Sequence, residues 1–103
     1  MINIVFTDSG TVLPIPSEPC PVPKSNDWFL GGYHCSGGCI NNNKGYLDIQ
    51  TAWKKCGEID RCHRITELQG KFYLRKSTDA LDRNSKDGQG NPVRYVNYKC
   101  KGK

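Results

Sequence analysis

Between Asp48 and Gly57 the apolar residues Ile49, Ala52, Trp53 and Cys56 recur at the spacing of one helical face. Asp48 suits the N-cap and Gly57 a left-handed stop, which predicts a helix of about two turns. A helix that short does not persist alone, so it must pack on a sheet. The sheet is predicted at once downstream, where Cys62–Leu68 and Lys71–Arg75 flank Gln69-Gly70 as a hairpin. Ile65, Leu68, Phe72 and Leu74 are its apolar positions. Alternation points Phe72 and Leu74 inward and leaves Lys71, Tyr73 and Arg75 facing out. Upstream, Trp28–His34 reads as one strand entering Cys35, followed by a tight loop through Cys39 and a polar turn at Asn41–Gly45. Ser77–Asn91 reads as an exposed loop and Pro92–Cys100 as the last strand. The expected class is α+β, a small antiparallel sheet with one short helix packed on it.

Residues 1–27 read differently. Met1–Phe6 is an apolar strand candidate, Asp8-Ser9-Gly10 a turn and Thr11–Ile15 a second short strand. Pro14, Pro16, Pro19, Pro21 and Pro23 then stiffen the chain toward polyproline II geometry. This stretch is expected to be a Pro-rich arm, with the domain proper over residues 28–103. Trp28, Phe29, Tyr46 and Trp53 are expected in the core or covering a strand, because a small domain needs its large residues there.

Composition adds a constraint. Only 36% of the 103 residues are apolar, and eleven glycines and six prolines raise the entropy cost of folding or interrupt regular structure. A chain of this size needs staples, and six cysteines can supply three. Zinc would call for paired Cys-x2–4-Cys knuckles or close Cys and His pairs; here the only close pairs are Cys35 with Cys39 and Cys56 with Cys62. No Cys-x-x-Cys pair occurs to suggest redox chemistry. Structural disulfides at Cys20, Cys35, Cys39, Cys56, Cys62 and Cys100 are the expectation, with neither metal nor cofactor. Disulfides call for an oxidising location, a virion or the extracellular space. Met1–Phe6 lacks the charged start and cleavage site of a secretory signal. Either a signal has been removed, or the chain is oxidised by another route, such as a viral thiol oxidase. No stretch approaches the length of a membrane helix.

A helix ended by Cys56 and followed by a strand opened by Cys62, within Leu47–Arg75, resembles the PAN/apple family, and the resemblance extends over residues 28–100. It implies a short bridge from helix to central strand, Cys56–Cys62, and a Cys35–Cys100 bridge between first and last strands. Cys20 and Cys39 would then tie the arm to the loop. The alternative pairs Cys20 with Cys100 and Cys35 with Cys39. Ala52 stands where the family has a second helix cysteine. The resemblance also implies protein or carbohydrate binding.

Charge is uneven. Residues 1–70 carry six basic and seven acidic side chains, residues 71–103 nine and three. Lys71–Lys76 mixes aromatics with cations, so Tyr73, Arg75 and Lys76, with Arg94 on the last strand, are the candidate binding residues. Only Tyr73 would be free to stack on a base, and nucleic acid is not an expected partner. His34 and His63 could serve a ribonuclease only if brought together. Asp79, Asp82, Asn84 and Asp87 fail the calcium-loop pattern, because Lys86 takes a ligand position and Asp87 stands where glycine is required. No nucleophile motif, carboxylate pair or phosphate loop is present, so no catalysis is expected. The expected function is a non-enzymatic structural or interaction module, part of a virion surface or an extracellular assembly, meeting other subunits through its arm. Alternatives are a glycan-binding lectin and a secreted defence or inhibitor protein.

Overall fold

A computed structural model describes residues 20–101. In chain order the elements are β1 (Phe29–Leu30), β2 (Gly32–His34), β3 (Gly45–Tyr46), α1 (Ile49–Glu58), β4 (Cys62–Leu68), β5 (Lys71–Lys76), β6 (Ala80–Asp82) and β7 (Arg94–Asn97). An antiparallel sheet in the order β1-β7-β4-β5-β3 carries α1 on one face, and a second ladder joins β2 to β6. The fold is a disulfide-stapled α+β domain.

The helix begins where its cap predicts. The Asp48 carboxylate accepts the Thr51 amide at 2.7 Å. That hydrogen bond holds its pKa below the usual carboxylate value. Ala52, Trp53 and Cys56 are buried, and Ile65, Leu74 and Val96 meet them from β4, β5 and β7. Ile65 lies opposite both Leu74 and Val96 in register, so three strands offer the helix one apolar row. Gly57 does not end the helix: it sits inside it, and α1 runs on to Glu58. Its lack of a side chain serves a close approach instead, since a Cβ there would stand 2.5 Å from the Tyr98 hydroxyl. The hairpin turns through Gln69 and Gly70, both at positive φ, the geometry a two-residue turn between twisted strands demands.

Two stretches depart from expectation. The segment Trp28–His34 is not one strand but two, broken at Gly31 (φ +121°). There the chain leaves β7 and crosses to pair with β6. A Cβ on Gly31 would come within 3.1 Å of the Arg83 and Asp82 backbone, so glycine permits both the angle and the approach. The expected loop Ser77–Asn91 contains that partner strand, β6. The last strand is also shorter than Pro92–Cys100, being confined to Arg94–Asn97.

The bridges are Cys20–Cys100, Cys35–Cys39 and Cys56–Cys62. The short helix-to-strand bridge is as expected. The other two correct the pairing implied by the family resemblance: Cys20 and Cys100 lie 5.8 Å apart at Cα, and Cys35 lies 5.2 Å from Cys39. The physical reason is local. Ser36–Gly38 curls back, with Gly37 and Gly38 at positive φ, and presents Cys35 to Cys39. Cys20 meanwhile packs against the core, and the Trp53 indole donates to its carbonyl at 3.0 Å. The expected strands over Met1–Phe6 and Thr11–Ile15 lie outside the described residues.

Loop-closure entropy assigns about 4.5 kcal/mol to a bridge spanning 80 residues and about 2 kcal/mol to one spanning 4. Replacing Cys20 and Cys100 by serine should therefore lower the guanidinium midpoint more than replacing Cys35 and Cys39, and non-reducing peptide mapping should recover the 20–100 linkage. The helix cap gives a pH signature. Because the Asp48 pKa is depressed on folding, its contribution is present above the unfolded value of about 3.9 and is lost as pH falls through the folded value. Asp48→Ala should lower the melting temperature by a few degrees at neutral pH and flatten this acid limb, as read by circular dichroism melts between pH 2 and 7.

Candidate functional site

The face of the sheet away from α1 carries a row that crosses all five strands: Phe29, Tyr95, Thr66, Tyr73 and Gly45 stand opposite one another in register. Phe29 stacks on Tyr95 at 5.5 Å between centroids, and Tyr33 meets Tyr95 edge-on at 4.8 Å. Tyr73 lies over Gly45, whose hydrogen leaves room for the ring. The middle of the row is covered, with the Tyr33 amide donating to the Thr66 hydroxyl oxygen at 3.1 Å. Its end is not. Phe29 is 49% exposed and its neighbour Leu30 66%, on an edge strand.

Of the four candidate binding residues, two are engaged inside the fold. Arg75 does not face out; it is buried, because β2 and the asparagine turn close over it. Its guanidinium donates to the Tyr33 carbonyl at 2.6 Å, to Asn43 Oδ1 at 2.8 Å and to the Leu74 carbonyl at 3.0 Å. Desolvation lowers its pKa, opposed by the nearby Asp79 charge. The Asn43 contact has a local purpose, since Asn41, Asn42 and Asn43 all sit at positive φ, a left-handed run that needs an anchor. Lys76 is held by the Cys35–Cys39 loop. Its ammonium donates to the Ser36 and Gly38 carbonyls at 2.6 and 2.7 Å and lies 3.7 Å from Asp79. Asp79, also buried, accepts the Ser36 and Lys76 amides. The acidic stretch is thus turn chemistry, with Asp82 and Asp87 accepting backbone amides within their own turns.

Arg94 is the most accessible of the three candidate cations. It pairs with Glu67 and lies over the Trp28 ring at 4.6 Å, on the helix-bearing face and so opposite to Tyr73 and Arg75. The structure therefore does not gather the four residues into one site. Arg94 instead borders a polar cleft of about 450 Å³ that includes Glu67, Gln69, Asp87, Gln89 and Asn91. A more apolar groove of about 440 Å³ runs between Pro21, Val22 and Pro23 on one side and Trp53, Val96 and Lys99 on the other. His34 is exposed on β2 near Asp82, and His63 lies on β4; no hydrogen bond joins them among the described residues. Neither the cleft nor the exposed edge was signalled by a motif. The one local sign of the edge was Phe29-Leu30 directly before Gly31-Gly32.

No family model matches the chain, and neither a curated protein nor a solved structure does.

Arg75→Ala would leave the Tyr33 carbonyl and Asn43 without their charged partner, at a cost of about 2–3 kcal/mol. Arg75→Lys should restore only part of this, because one ammonium on a different stem does not reproduce the guanidinium fork. Urea unfolding of the two variants checks it, with a null effect expected for Lys71→Ala on the exposed start of β5.

Proposed function

We propose that this chain is a PAN/apple-like, non-enzymatic interaction module that works in an oxidising setting, as a component of a virion surface or of an extracellular assembly. The observation that carries the reading is the use of all six cysteines as staples around a small core, with the longest bridge fixing where the Pro-rich segment departs. Such bridges persist outside the reducing cytosol. The helix pinned to the central strand by Cys56–Cys62 supports the family-like reading, while the local Cys35–Cys39 loop departs from it. Arg75 and Lys76, expected at a binding surface, instead hold loops, so the partner-facing features are the exposed β1 edge, the segment leading from it to Cys20, and Arg94 beside its polar cleft. The cleft offers amide and carboxylate groups suited to polar ligands such as glycans.

Thiol trapping of the protein in its native source tests the reading. A maleimide reagent added at lysis should label none of the six cysteines, and the oxidised protein should be recovered from purified particles or from the external medium. A pool that is reduced and confined to the cytosol would overturn it.

A further inference from the structure

The β1 strand stands at the end of the five-stranded sheet, with β7 on one side and, among the described residues, no strand on the other. Gly31 donates its amide to the Val93 carbonyl at 2.7 Å, so in the alternation of antiparallel pairing Leu30 turns its own amide and carbonyl toward the free edge. Edges of this kind are normally blunted by charge, proline, a bulge or shortness, and of these β1 has only its two-residue length. This one carries two large apolar side chains, Phe29 on one face and Leu30 on the other, both exposed.

The same chain supplies a segment of matching chemistry. Ile2-Asn3-Ile4-Val5-Phe6 is free of charge and of proline, and its alternation puts Ile2, Ile4 and Phe6 on one face and Val5 on the other. As an added strand it would set apolar groups beside both Leu30 and Phe29. Its tether is stiffened by Pro14, Pro16 and Pro19, and it ends at Cys20, which the bridge to Cys100 and the Trp53 hydrogen bond fix against the domain. Thirteen residues drawn out at about 3.1 Å each reach about 40 Å. A five-stranded sheet is about 20 Å across. A tether of that length is long enough to carry the segment past its own sheet.

We propose that residues 2–6 of one copy add as a strand to the free β1 edge of a second copy, so that the module assembles with itself by strand addition. This inference rests on the assembly reading above and names the partner as the chain itself. Main-chain hydrogen bonds from Leu30 supply the attachment, and Leu30 and Phe29 supply the apolar contacts that fix register.

Light scattering on the oxidised full-length chain tests it. At about 100 μM the chain should show the mass of two or more copies. Ile4→Asp spoils the segment and leaves the edge intact; Leu30→Lys spoils the edge and leaves the segment intact. Each variant alone should run as a monomer, and an equimolar mixture should regain a two-copy mass, because the sound segment of one meets the sound edge of the other. Leu30 is exposed, and non-reducing peptide maps should confirm that both variants keep the three bridges. A monomeric full-length chain would overturn the proposal, as would multimers that survive either substitution or a mixture that stays monomeric. A monomer that is still fully oxidised on particles or in the external medium would remove self-assembly and leave the interaction-module reading standing.

Discussion

A helix of ten residues has no stability of its own, and the Cys56–Cys62 bridge makes this one part of the sheet. Both cysteines are wholly buried, at the place where α1 ends and β4 begins. The covalent link fixes the helix over Ile65, Leu74 and Val96, and those three residues fix the register of β4, β5 and β7. Trp53, held down by the same arrangement, then offers its indole N–H to the Cys20 carbonyl. The staple thus sets the position of Cys20 as well as that of the helix.

A second set of constraints is polar. Arg75, Lys76 and Asp79 are close in sequence but work outward, into β2, the Cys35–Cys39 loop and the asparagine turn. They do for these loops what a larger hydrophobic core would do in a bigger domain. The charged groups are used where the chain lacks apolar residues, which fits a small protein with 36% apolar content.

The elements that could be read from sequence are those whose signals are local. Asp48 with the apolar face of Ile49, Ala52, Trp53 and Cys56 marks a helix without reference to the rest of the chain. Gln69-Gly70 between two apolar runs marks a hairpin in the same way. What could not be read depends on distant partners. Arg75 looks like a surface cation until Tyr33, 42 residues away, supplies a carbonyl and a cover. Gly57 looks like a helix stop until Tyr98 is seen to need its space. Gly31-Gly32 looks like part of a strand, because nothing nearby shows that the chain changes sheets there. The pairing of Cys20, Cys35, Cys39 and Cys100 is of the same kind. It follows from how a glycine loop curls and where a proline segment lies, and neither leaves a periodic trace.

The Cys20–Cys100 bridge has a mechanical consequence. It closes the chain between these two residues into a covalent ring that contains every described strand and the helix. The stretches on either side of the ring leave it from one point. Tension drawn between them runs from backbone to sulfur to backbone and bypasses the hydrogen-bonded ladders. The domain hangs from that knot as a pendant, and a pull on the arm against the opposite end does not unzip a strand.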